Sequence, residues 1–260
     1  MKIRFRWAGW RPSFRPPDRS ARLRQVLAQA GVRNAADDPE VLLEKLPPAE
    51  PPDRMERSAR EPLSFPLPVP LTRIAVIGDY FVEAKNIRFF DSVDAAGLRA
   101  WAPEAIITPV ETALEMADLS CLDHAPTPPP SSALVVLTSV GKPPLDAAAR
   151  ERLWMAFGVP IFEQLRAWDG TVIARECEVH DGMHVAEDAA FIHRDDEGEI
   201  ILTLLDSKAP VLRSRTGLAA EIVRVECECG SEVPRLRDLS VAARLAREAD
   251  AAGGQPQEEG

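Results

Sequence analysis

ALVVLTSVGKPPLDAAARERLWMAFGVPIFEQL, residues 133–165, decides the fold. Its first seven residues, ALVVLTS, form an uncharged apolar run of strand length, as expected of a strand buried on both faces. LDAAARERLWMAFG then has the spacing of an amphipathic helix that ends at Gly158. PIFEQL returns as a second strand. Strand, helix, strand at this spacing predicts a parallel sheet with crossover helices.

The same rhythm extends upstream. RIAVIG (73–78) and AIIT (105–108) are short apolar runs, and PVETALEMADL follows the second at once as a helix. The spacing therefore predicts a parallel α/β subdomain over 71–166. Before it, SARLRQVLAQAGV and PEVLLEKL read as helices, with Gly31 closing the first and Pro39 in the first turn of the second. Residues 47–70 are rich in proline and charge and read as a strap, so 21–70 is a unit of helices and strap.

After residue 167 the pattern shortens. TVIAREC, AAFIHR, EIILTLL, PVLR and AAEIVRV are strand-like runs between DG, DDEG and SKAP turns. They predict a smaller, β-rich, antiparallel subdomain over 167–239. The acidic Gly/Gln-rich residues 240–260 read as a disordered tail.

Net charge excludes one class of partner. At −10, the chain is a poor match for a nucleic-acid backbone. The irregular arm at 1–20 runs against that balance, because its arginines interleave with Phe5, Trp7, Trp10 and Phe14. It reads as a segment that docks on its own domain or a partner, the alternative being a nucleic-acid or membrane contact. No apolar run approaches the ~20 residues of a membrane span, and no apolar core of an export signal is present. A cytoplasmic protein with reduced thiols is the expectation.

The cysteines are the chemical signal. On a strand through AEIVRVECECG, Cys227 and Cys229 share a face. In ARECEVHDGMHV, Asp181-Gly182 reads as a two-residue hairpin loop that pairs His180 with Met183 and Val179 with His184. That register makes Cys177 and His184 diagonal neighbours and turns His180 to the opposite face. Cys177, His184, Cys227 and Cys229 then form a closed Cys3His set, the ligation of structural zinc. The alternatives are small buried apolar cysteines, or a disulfide strained by its one-residue loop. Cys121, beside His124, has no matching partner.

FGVPIFEQLRAWDGTVIARECEVHDGMHVAED, EGEIILTLLDSKAPVLRSRTGLA and CECGSEVPRL together resemble the phenylacetate–CoA ligase branch of the adenylate-forming enzymes. Upstream, RLRQVLAQAGV with LLEKLPP is similar to the family's N-terminal helices. WAPEAIITPVETALEMADL is similar to its approach to the acid pocket, and LTSVGKPPLDAAARERLWMAFG to its adenine-side strand and helix. The resemblance implies a shortened N-terminal domain of such a ligase, with ATP, AMP and CoA as the family's ligands. Some members hold zinc through a Cys, a Gly-x-His and a Cys-x-Cys-Gly placed as here. It also implies a pocket between the two halves lined by Thr138, Ser139, Gly141, Trp168 and Asp169, with Gly141, Trp168 and Asp169 on the nucleotide. The plainer reading makes Trp168 a core aromatic and Asp169-Gly170 a turn.

The departures limit the chemistry. The family's phosphate-gripping Ser/Thr/Gly loop, a nest of backbone N–H groups, has no counterpart. Its Tyr-Gly-x-Thr-Glu run appears as Leu165, Arg166, Ala167, Trp168 and Asp169. Its ribose-binding Asp, after Ser214, Arg215, Thr216 and Gly217, appears as Leu218. The lid with its catalytic lysine is not found. Each such loss removes ~3 kcal/mol or more of transition-state stabilisation. The expectation is a catalytically silent, zinc-stapled relative with no catalytic residues, serving as a binding or partner module for a protein or an aryl or acyl molecule. The alternative is a divergent or split acid–CoA ligase completed by a partner subunit.

Overall fold

The computed structural model of the chain describes residues 18–32, 38–52, 71–78, 85–93, 97–120, 128–205, 210–245 and 247. Residues 1–17 of the arm, most of the strap, Cys121, His124, and residues 246 and 248–260 of the expected tail lie outside the described residues, whereas residues 240 and 241 of that tail end a strand and Leu245 packs against Gly217.

Two helices lead. α1 (Arg19–Gln29) is capped by Asp18, which accepts from the Ser20 N–H, and α2 (Pro39–Lys45) by Asp38, which accepts from the Glu40 N–H. Leu23, Leu27 and Leu43 from these helices pack on Phe191 and Leu205. The chain then binds to residues much further on. The Ala49 N–H donates to the Arg213 carbonyl and the Ala49 carbonyl accepts from the Arg215 N–H, each at 2.8 Å.

The parallel half follows: β1 (Ile74–Ile77), β2 (Ile87–Phe90), α3 (Leu98–Trp101), β3 (Ala105–Pro109), α4 (Val110–Ser120), β4 (Ala133–Ser139), α5 (Ala147–Phe157) and β5 (Ile161–Arg166). Asp146 caps α5 by accepting from the Ala149 N–H at 2.7 Å. Gly158, at φ 63°, closes it in the left-handed conformation that an L side chain resists. β6 (Val172–Glu176), β7 (Met183–Val185), β8 (Ala190–Arg194), β9 (Glu199–Leu204), β10 (Ser214–Val223) and β11 (Arg235–Val241) complete the described strands.

All of these strands belong to one eleven-stranded sheet, in the order β2-β1-β3-β4-β5-β6-β7-β11-β10-β9-β8. Residue 167 therefore marks a change of direction rather than the end of a sheet. β4 and β5 pair in parallel, and β5 and β6 pair antiparallel with Gln164 opposite Arg175. α4 and α5 cover one face of the parallel half, where Ile77, Ile106, Val136 and Ile161 form the core. The antiparallel half has its own core around Leu165, Ile200, Leu202 and Leu218. No helix among the described residues is long and apolar enough to cross a membrane.

Two local expectations are corrected. β6 and β7 pair Glu176 with Met183 and Arg175 with His184, so the hairpin loop has six residues, 177–182, and not two. The Asp-Gly turn signal is outweighed because His180 takes a left-handed φ of 55° and donates its N–H to the Cys177 carbonyl. The second correction concerns Cys227 and Cys229. β10 ends at Val223, and both cysteines lie in the loop to β11.

Candidate metal centre and the neighbouring cleft

The two loops meet because their strands are adjacent. β7 pairs with β11, placing Arg235 opposite His184 and Leu236 opposite Met183. In the β10–β11 loop the Cys227 N–H donates to the Ser231 carbonyl at 2.9 Å, and the Gly230 N–H returns to the Cys227 carbonyl at 2.8 Å. Gly230, at φ 85°, allows this tight turn. The two sulfurs thus converge through turn curvature and not through strand alternation.

The structure brings all four sequence-derived ligands together. One donor atom from each of Cys177, His184, Cys227 and Cys229 lies within 4.8 Å of the others, and the group can hold a metal ion. The Cys177 and Cys227 sulfurs are 3.8 Å apart, and the Cys229 sulfur is 3.5 Å from His184 Nε2. Burial pushes the Cys177 thiol up to about 12, with the Cys229 and Cys227 thiols adding to the rise. Burial also raises Cys229 and lowers His184. Three sulfurs and one imidazole nitrogen at these distances are a donor set for a cation, whose charge would favour the thiolate forms.

Arg235 locks this arrangement. Its guanidinium is 2% exposed, yet it reaches both loops. It donates to the Asp181 carbonyl at 3.0 Å, to the Asp181 carboxylate, and to the Val225 carbonyl at 3.4 Å. Gly182 is pressed against β11, where an added Cβ would stand 2.6 Å from the Leu236 carbonyl oxygen.

A cleft of about 570 Å³ opens on the far side of the same hairpin loop. Strand alternation puts Glu163, Glu176 and Met183 on this side and Cys177 and His184 on the other. Glu163 is 4% exposed, bonded to Thr138 Oγ1 and accepting from the Leu145 N–H at 3.2 Å. Burial holds its carboxyl above the ordinary range, against the pull of those hydrogen bonds. Glu176 accepts from the Glu163 N–H at 2.7 Å and from Arg150 at 2.8 Å. His180 Nδ1 lies 3.5 Å from Glu176, with its ring stacked on Phe162 at 4.9 Å. Sequence reasoning missed this network; its one visible sign was a glutamate in the middle of a buried strand, PIFEQL.

No family model matches the chain, and no curated protein matches it in sequence. Solved structures do match. An open conformation of 2-hydroxyisobutyryl-CoA ligase, in complex with 2-HIB-AMP and CoA, superposes with a TM-score of 0.54 at 15% identity, over 68% of this chain and 46% of the ligase. The same ligase in its postadenylation state gives 0.54 at 14%, over 69% and 45%. In part, this is the fold of an acyl-CoA ligase. The chain spans less than half the length of those ligases.

Within this ligase-like fold, the residues expected to line a nucleotide pocket contact other parts of the fold, although the buried Asp169 Oδ2 has no hydrogen-bond partner among the described residues. The Gly141 N–H donates to the Thr216 carbonyl at 2.8 Å. Thr138 is buried against Glu163, and Ser139 ends β4. Trp168 packs on the core of the antiparallel half. Asp169 is 1% exposed and makes a turn, Oδ1 accepting from the Thr171 N–H at 3.0 Å. Neither Trp168 nor Asp169 lines the 570 Å³ cleft. Leu218 is core. Gly217 is closed from two sides, because its N–H donates to Glu199 at 2.9 Å and Leu245 stands where a Cβ would go.

Proposed function

We propose that the chain is a catalytically silent relative of the acid–CoA ligases, of the phenylacetate–CoA ligase type, stapled by structural zinc and working as a binding or partner module. The observation that carries the silent reading is the filled cradle at Gly217. Its backbone donor belongs to Glu199, its open face to Leu245, and the next side chain is the core residue Leu218. A nucleotide would have to displace all three contacts.

The metal reading rests on spacing. With Zn–S near 2.3 Å and Zn–N near 2.0–2.1 Å, a tetrahedron has S···S edges of about 3.8 Å and S···N edges of about 3.5 Å. The 3.8 Å Cys177–Cys227 and 3.5 Å Cys229–His184 separations fit those edges. Four protein donors leave no position for a reactive water, so the ion is a staple. Three thiolates and one Zn²⁺ would carry a net charge of −1, which buried Arg235 faces from the next strand.

The test mixes the chain with ATP, magnesium and a panel of aryl and acyl acids and follows pyrophosphate. None above background is expected, with one equivalent of zinc by elemental analysis. Turnover by the lone chain overturns the silent reading, and metal-free protein overturns the staple. A second reading, for a fold shared in part with an acyl-CoA ligase, is a split enzyme. Pyrophosphate release that appears only when a complementary subunit is added would establish it.

A further inference from the structure

The basic–aromatic arm contains none of the four candidate ligands, and the ligase resemblance begins after it. Residues 1–17 carry Lys2, Arg4, Arg6, Arg11 and Arg15, no carboxylate and four aromatics, in a chain of net charge −10. The arm is attached close to the cleft. At the start of α1, Arg19 Nη1 bonds Glu187 Oε1 at 2.8 Å, and Arg22 Nη1 bonds the Asp188 carbonyl at 2.6 Å. Glu187 lies four residues beyond Met183, a cleft wall, or about 13 Å along an extended chain. Seventeen residues reach up to ~56 Å, several times that distance.

The cleft has the complementary chemistry. Its apolar base is Leu145, Met183 and Leu236, all buried, while Asp146 and Asp238 stand exposed on its rim. The cations around it are already engaged: Arg237 binds Asp181, and Arg150 binds Glu163 and Glu176. The volume falls within the range of ligand pockets, ~300–1,000 Å³.

We infer that segment 1–17 of the same chain docks in this cleft, aromatic side chains on the base and arginines on the rim carboxylates. An extended Arg4-Phe5-Arg6-Trp7 stretch puts its two aromatics on one side and its two arginines on the other. Met183 gives the base a sulfur contact for an aromatic ring. The inference is independent of both the zinc staple and the silent-ligase reading.

The test replaces Trp7 with photoreactive p-benzoylphenylalanine in the full-length chain, irradiates at low micromolar concentration and maps the cross-links by mass spectrometry. Intramolecular links to Met183, Leu145 or Leu239 are expected. Their yield should fall at least fivefold with Arg4→Glu plus Arg6→Glu, and again with Asp238→Asn, which tolerates the left-handed backbone there. Links to the exposed Trp154 and Met155 of α5, covalent dimers alone (a second copy as occupant), no links in folded protein, or a yield indifferent to the charge changes would each overturn it.

Discussion

Leu245 stands directly over Gly217: a Cβ on residue 217 would lie 2.6 Å from the Leu245 Cδ1, and the backbone there has φ 72°. Gly217→Ala is therefore expected to destabilise the protein by about 1–2 kcal/mol from the left-handed backbone alone. The contact atom is the end of a flexible side chain, so Leu245→Ala in the same background should recover only a minor share. Urea melts of the single and double variants measure both. A Gly217→Ala protein as stable as its parent would contradict the packing.

Cys227→Ser should abolish metal binding and cost at least ~3 kcal/mol, because the free energy of binding at a structural site is also folding energy. His180→Ala serves as the control, since His180 lies outside the donor set. Elemental analysis and thermal melts should separate the two: metal lost and melting lowered in the first, metal retained in the second.

His193 supplies a pH test. Burial, with Arg213 next, pulls it from 6.5 down to about 4. The folded value lies below the unfolded one, so the neutral ring contributes stability above pH 6.5 that is lost as pH falls through 4. His193→Phe should flatten that part of the acid limb while keeping the contact with Phe191, now at 4.5 Å. Denaturation at closely spaced pH values between 4 and 7 reads the slope; an unchanged slope would count against it.

Glu163 should act with the opposite slope. Burial raises its folded value above the ordinary 4.5, so its contribution is greatest below that pH and declines as pH rises through the raised value. Relative to Glu163→Gln, the parent should lose stability as pH rises above the ordinary 4.5 and until it passes the raised folded value. Parallel stability curves for the two proteins would show that the carboxyl titrates normally.

How much of this was legible in the sequence depended on how local each cause was. β4 was expected at 133–139 and spans Ala133–Ser139; α1, α2, α4 and α5 likewise follow from apolar spacing and caps. β2 escaped notice because Arg88 and Phe89 are exposed at the edge of the sheet and carry no buried pattern. β11 escaped because RLRDLSV mixes charge with apolar residues along a strand whose partners lie far away in sequence. The metal-ligand set was chosen with the wrong hairpin register and the wrong backbone for Cys227 and Cys229. The four residues still meet, because alternation continued one residue past β6 puts Cys177 on the His184 side in either register. The Glu163–Glu176–Arg150 network showed only as a glutamate within a buried strand, since it is formed only when α5 is laid over β5 and β6.

The donor order along the chain has a consequence for biosynthesis. Cys177 and His184 leave the ribosome roughly fifty residues ahead of Cys227 and Cys229, so a growing chain can offer an ion only half a cage. For the proposed staple, tight capture must wait until the second loop has emerged and β11 has slotted in beside β7. Metal uptake during translation would then mark the moment at which the sheet closes.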